Sequence, residues 1–267
     1  MTGSVVVGFN GTPEAEAALI WAGHAARARH CELTVAVAGV VLSETEREAG
    51  EPDEGRSLAE HALDLLQGPG GMLAASAIVR DAPPTRLLSE LTDNACLLVL
   101  GRAEENVVEA TLGGSVAAHM VNHSPCPVIL VPAEPAPTVP TGTVLAAVSV
   151  RDAAPAVLRL AIEQAALNGG RVLAVHRPDA KHPRELSMLQ ATIARRQRDH
   201  PAVPIELRLV HDLEAAVAVE VPAADLLVVG LRGAADGRRA GRLAATARRL
   251  AFRSPVPVAV VGPTPAS

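Results

Sequence analysis

Aromatic side chains are nearly missing from this chain of 267 residues, which has one Trp, two Phe and no Tyr. Platforms for single-stranded nucleic acid stack bases on aromatic faces, so that class of function is disfavoured. Positive charge is not in excess either. With 29 acidic against 24 basic residues, a net charge of -5 and a pI near 6.0, nothing global attracts DNA or an anionic membrane. Cysteine is scarce and odd in number, at Cys31, Cys96 and Cys126. Two of these lie in apolar strand-like runs, where cysteine acts as a small buried hydrophobe, and a reduced, cytoplasmic setting is the expectation. No apolar run approaches the roughly 20 residues that span a bilayer, so a soluble chain is expected. The opening MTGSVVVGFNGT has no basic leading region and reads as a first strand rather than a signal peptide.

What is present is aliphatic. Alanine, valine and leucine supply most of the 49% hydrophobic fraction, so the core must be built from them. Ser4 to Gly8 reads as a buried strand, and Phe9-Asn10-Gly11-Thr12-Pro13 as its turn, with Thr12 as helix N-cap and Pro13 at the first helical position. The helix should run to about Arg29. Leu33 to Val41 is a second strand, a helix lies near Gly55 to Gln67, and Met72 to Val79 is a third strand. Pro83-Pro84 opens a helix through Leu87, Leu88 and Leu91 that stops before the strand Cys96 to Leu100. Strands alternating with helices of this length imply a parallel sheet with helices on both faces.

Periodicity stops between Pro132 and Gly142, where Pro132, Pro135, Pro137 and Pro140 mark a short, semi-stiff linker. The same series then restarts. Strands are expected at Val144 to Ser149, Arg171 to His176, Val203 to Val210, Asp225 to Gly230 and Val256 to Val261. Helices are expected at Pro155 to Leu167, Glu185 to Asp199, Glu214 to Val221 and Leu243 to Phe252. Ala95-Cys-Leu-Leu-Val-Leu-Gly101 aligns with Ala224-Asp-Leu-Leu-Val-Val-Gly230, and His123-Ser-Pro-Cys-Pro-Val128 with Arg253-Ser-Pro-Val-Pro-Val258. A duplication follows: residues 1–132 form one domain, 133–142 the linker and 143–267 a second copy. Val128 to Val131 and Val256 to Val261 are apolar strands placed by chain order at sheet edges. Pairing through them into an intramolecular pseudo-dimer is expected, with a homodimer of the whole chain as a further possibility.

The segment Gly101 to Pro132, GRAEENVVEATLGGSVAAHMVNHSPCPVILVP, has the layout of a phosphate cradle. An apolar strand ends on a glycine, a loop follows, and Gly113-Gly114-Ser115 opens a helix whose free amides can meet an anion.

On these residues the chain resembles the universal stress protein family in its tandem form, common in actinobacteria. The resemblance covers nearly all of both halves, through VVVGFNGT with its alanine-rich helix and GGSVAAHMVNHSPCPVILVP. It implies two doubly wound five-stranded parallel sheets of order 3-2-1-4-5, flanked by helices in the adenine nucleotide alpha hydrolase-like manner. It also implies an adenine nucleotide, ATP with Mg²⁺, in the N-terminal half. By position, Asn10 stands where nucleotide-binding members have an Asp, Gly11 and Thr12 complete that turn, and Ala38 occupies the adenine contact. Gly101, with Arg102 beside it, matches the first phosphate-loop glycine. Gly114-Ser115, followed by Val116, match the closing pair, and Glu104 replaces the second glycine. In the second copy Gly230 and Gly233 are kept, but Leu243-Ala244 stand in place of Gly-Ser, and Val150-Arg151-Asp152 in place of the first turn.

Glu104 removes a glycine able to adopt positive φ and sets a carboxylate near a polyanion, a repulsion of about 1 to 4 kcal/mol per close charge pair. At about 1.4 kcal/mol per tenfold, that implies impaired ATP binding. Asn10 costs less, because an amide still donates and accepts hydrogen bonds. The implied function is a non-catalytic stress-response regulatory module with an unidentified protein partner. Two alternatives stand beside it, an interaction scaffold that binds no nucleotide and a slow ATP hydrolase using Glu104 as base. There is no GxSxG elbow to support a nucleophile. His119 and His123 share a helix face but lack a third metal ligand, which suits a helix end better. Arginines at 232, 238, 239, 242, 248, 249 and 253 read first as a solvated helix face and second as an anion dock.

Overall fold

A computed structural model describes residues 3–39, 54–67, 73–102, 116–134, 141–148, 154–179, 181–231 and 243–262. Two compact units divide the chain, Met1–Glu134 and Pro135–Ser267. The first contains, in chain order, β1 (Ser4–Gly8), α1 (Pro13–Arg29), β2 (Leu33–Ala38), α2 (Glu54–Leu65), β3 (Ala75–Arg80), α3 (Pro84–Thr92), β4 (Ala95–Arg102), α4 (Val116–His123) and β5 (Val128–Pro132). All strand pairs in it are parallel, in the order β3-β2-β1-β4-β5, so β1 is flanked by β2 and β4.

The unbroken Val and Leu runs are strands with both faces covered. Val5, Val7, Leu98, Val99, Ile129 and Leu130 are all fully buried, and each such side chain contributes roughly 1.5 to 3 kcal/mol of burial. Helix α1 packs against β1, β4 and β5 and touches α2, while α3 and α4 touch each other and pack on the same strands. The buried face of α1 is mainly Ala15, Ala18, Leu19, Ala22, Gly23, Ala25 and Ala26, small residues that let the helix lie close to the sheet. Thr12 caps its start, Glu14 and Glu16 sit in its first turn, Arg27 and Arg29 in its last, and His30 at φ 51° closes it.

The second unit repeats this arrangement with β6 (Thr143–Ala147), α5 (Ala154–Leu167), β7 (Arg171–His176), α6 (Pro183–Asp199), β8 (Ile205–Leu209), α7 (Leu213–Glu220), β9 (Leu226–Gly230), α8 (Ala245–Arg253) and β10 (Val258–Val261). Its strands are again parallel, in the order β8-β7-β6-β9-β10. Equivalent hydrogen bonds mark the duplication: Leu98 N donates to Pro127 O at 2.9 Å, and Leu227 N to Pro257 O at 3.0 Å. The alignment of Leu98 with Leu227 read from the sequence is the alignment of the fold.

Boundaries move by a few residues. The last strand begins at Val258 rather than Val256, because Pro257 has no N–H to donate and Val256 N turns to Ser254 Oγ at 3.3 Å. The last helix begins at Ala245 rather than Leu243, with Ala244 extended at its N-cap. Among the described residues no helix is long and apolar enough to cross a membrane.

Candidate functional site

Chain direction out of β1 diverges from that of its neighbours, since β1 leads on to β2 on one side and lies against β4 on the other. In such sheets the crevice beyond the strands' C-terminal ends at that point is where ligands enter. The turn leaving β1 is built from short polar side chains. Asn10 Oδ1 accepts from Thr12 Oγ1 at 3.0 Å and Thr12 N at 3.4 Å, and Thr12 Oγ1 accepts from Ala15 N at 3.4 Å. Gly11 between them has φ +75°, which suits glycine, and an added Cβ would stand 2.7 Å from Leu58 Cδ2.

Beyond this turn lies a cavity of about 250 Å³. Phe9, Ala36, Ala38, Leu87, Leu88 and Leu100 make most of its wall apolar, Asn10, Thr12 and Glu14 supply polar groups, and Gly101, Val116 and Ala117 close it. Phe9 is buried, and its ring meets the His61 ring at a centroid separation of 6.1 Å. An apolar slot with a few convergent polar groups suits a flat, heteroaromatic ligand.

Five of the residues singled out from sequence therefore line one cavity: Asn10, Thr12, Ala38, Gly101 and Val116. Gly11 and Arg102 do not line it. Gly11 shapes the turn, and Arg102 is buried at the end of β4, paired in register with Pro132. Glu104, Gly114 and Ser115 lie outside the described residues. Gly101 has a packing reason to be glycine. A Cβ there would stand 2.5 Å from Glu14 C and 2.6 Å from Glu14 O, so β4 can pass under the start of α1 only without a side chain. Sequence reading missed Phe9, Glu14, Leu87, Leu88 and Leu100 as lining residues. Pro84, at the start of α3, was the available signal, because it places the following leucines at the crevice.

The second unit has a cavity of about 450 Å³ at the equivalent crevice. Its lining is more polar, with His176, Arg177, Asp179, Glu185, Asp212 and Glu214 on it. Glu214 is tied to Arg249, whose Nη2 and Nε donate to Glu214 Oε1 at 2.6 and 3.2 Å. Hydrogen bonding from Arg249 and then Thr246 holds the Glu214 carboxyl below the ordinary carboxylate range. Arg249 is thus committed to a carboxylate of its own unit, and Arg253 is exposed. Arg232, Arg238, Arg239 and Arg242 lie outside the described residues, as do Gly233 and Val150-Arg151-Asp152.

His119 and His123 stack with ring centroids 4.3 Å apart at the end of α4, and His123 Nδ1 donates to the His119 carbonyl at 2.8 Å. Among the described residues no group of three or more His, Cys, Asp or Glu is placed to hold a metal. The three cysteines are free and half-buried. Burial first, and the neighbouring Cys31 next, push the Cys96 thiol up to about 11. Burial likewise pushes Cys126 up to about 11.

Residues 1–132 match the sequence model of the "Universal stress protein family". A universal stress protein of Mycobacterium tuberculosis is 27% identical over 292 aligned positions, which cover 96% of this chain and 95% of the relative. One from Mycobacterium bovis is 26% identical over 259 positions, covering 86% and 87%. The crystal structure of a universal stress protein from Archaeoglobus fulgidus superposes with a TM-score of 0.71 at 17% identity, over 97% of this chain and 95% of that one, and shows the shared fold.

Proposed function

We propose, on the premise that this chain belongs to the universal stress protein family in its tandem, two-domain form, that it is a non-catalytic stress-response module whose N-terminal unit binds an adenine nucleotide weakly. One observation carries this reading: Asn10, Thr12, Ala38, Gly101 and Val116, drawn from four separate elements, meet around one mainly apolar cavity at the sheet's switch point. The base would lie among Phe9, Ala36, Ala38 and Leu88, and the ribose would face Asn10 and Thr12. Phosphates would extend toward the start of α4, whose first amides can hold an anion. Mg²⁺ would accompany the phosphates.

Two carboxylates weaken that end. Glu14 lines the cavity, and Glu104 occupies a position in the phosphate-loop sequence where the family pattern has glycine. The base and sugar therefore contribute most of the affinity. Glu14 also favours the second reading, an interaction scaffold that holds no nucleotide. Extraction of denatured protein separates the two: co-purified adenine nucleotide supports the first, and an empty protein with no thermal shift in ATP–Mg²⁺ supports the second. ADP accumulating above a Glu104→Ala control would instead make it a hydrolase.

A further inference from the structure

The sheet of the second unit ends on β8. Among the described residues this strand pairs only with β7, in parallel. Val172 N donates to Pro204 O and Val210 N to His176 O, both at 2.9 Å. In a parallel ladder that periodicity turns residues 204, 206, 208 and 210 toward β7, so the N–H and C=O groups of Ile205, Leu207 and Leu209 point away from the sheet. Gln197 Oε1 accepts from the Ile205 N–H at 2.9 Å. Beyond that end, Leu207 and Leu209 present the edge that a further strand would meet.

The two faces of this edge differ. Ile205, Leu207 and Leu209 share a groove of about 420 Å³ with Ile193 and Ala194 of α6. Leu209 is 48% exposed, and Ile193, Ile205 and Leu207 are half-buried. On the opposite face Arg208 Nη2 donates to Glu206 Oε1 at 2.9 Å, and Arg208 Nη1 pairs with Glu220. The strand holds no proline or lysine, two common devices against edge pairing. Its charges instead select a partner.

An antiparallel partner strand keeps residues of like facing opposite one another, which leaves a second β8 three registers that pair three residues or more. Centring on Glu206 sets two carboxylates face to face, and centring on Arg208 sets two guanidinium groups face to face. Centring on Leu207 sets Glu206 of each copy opposite Arg208 of the other, and Ile205 opposite Leu209. It also brings the outward N–H and C=O groups of the two Leu207 residues together. Opposite charges across a strand pair stabilise it and like charges destabilise it, so only the Leu207 register is favoured. The corresponding edge strand of the first unit, β3, reads Ala-Ser-Ala-Ile-Val-Arg and has no such self-complementary charge pair.

We propose that β8 is the contact through which a second copy of this chain docks, antiparallel about a twofold axis at Leu207, with Glu206 of each copy facing Arg208 of the other. The contact is isologous, the same surface serving both copies. Ile205 and Leu209 of the two copies cover each other beside α6. The assembly does not depend on nucleotide in the first unit.

Sedimentation velocity on the full chain should show a monomer–dimer equilibrium in the micromolar to millimolar range. Glu206→Arg and Arg208→Glu each set like charges opposite one another across the axis, and each variant alone should dimerise about tenfold or more weakly than wild type. An equimolar mixture of the two restores opposite charges at every such pair and should recover the dimer, which damage to the fold of either variant would not produce. A wild type that stays monomeric would overturn the proposal. So would variants that dimerise as well as wild type, or a mixture that associates no better than its components.

Discussion

Gly101 and Glu14 lie so close that a Cβ on Gly101 would stand 2.5 Å from the Glu14 carbonyl carbon. The end of β4 and the first turn of α1 thus touch backbone to backbone, and both border the first cavity. Gly101→Ala must shift one of them. A loss of about 1 to 3 kcal/mol of stability is expected, the range for forcing an extra carbon into a packed site. Chemical denaturation measures it, and an unchanged midpoint would mean the contact is looser than described.

Thr12 caps α1 and also donates to Asn10, so one hydroxyl holds both the helix start and the cavity turn. Thr12→Ala should cost about 1 kcal/mol of stability, typical of a lost N-cap. Thr12→Ser, which keeps the hydroxyl, should recover most of that in the same denaturation experiment.

Ala38 lines the proposed base end of the cavity. Ala38→Leu should lower affinity for adenosine and for ATP alike, by about tenfold, since it fills apolar volume rather than altering charge. Loss for ATP only would place the base elsewhere.

Cys96 and Cys126 are each pushed up to about 11, by burial first in both cases. Folding therefore favours their protonated form. The stability this contributes is fully present below the unfolded thiol's value of about 8.5, and is lost as pH rises through the folded value near 11. Alkylation of both thiols at neutral pH should be slow in the native protein and rapid in denaturant. Fast native labelling of either would contradict the burial described.

The alternation of aliphatic strands and helices was legible because a parallel sheet covered on both faces writes itself as unbroken Val and Leu runs, whereas the strand order was implied by the family resemblance. The aligned pairs Leu98 with Leu227 and Pro127 with Pro257 show the repeat in hydrogen bonds as well as letters. Positions contributed by turns were also legible, since Asn10, Gly11 and Thr12 are distinctive there. The cavity wall was not. Leu87, Leu88 and Leu100 look like core leucines in sequence, and only the open crevice distinguishes them.

The proposed weak adenine-nucleotide binding in the N-terminal unit, with Glu104 as its proposed limit, is most directly tested by calorimetric titration of ATP–Mg²⁺ into wild type beside Glu104→Gly. Removing one close charge repulsion of about 1 to 4 kcal/mol should tighten binding by about fivefold or more, with adenosine affinity unchanged. Heats indistinguishable from dilution for ATP and adenosine in both proteins would contradict the account and leave the chain as a scaffold without nucleotide.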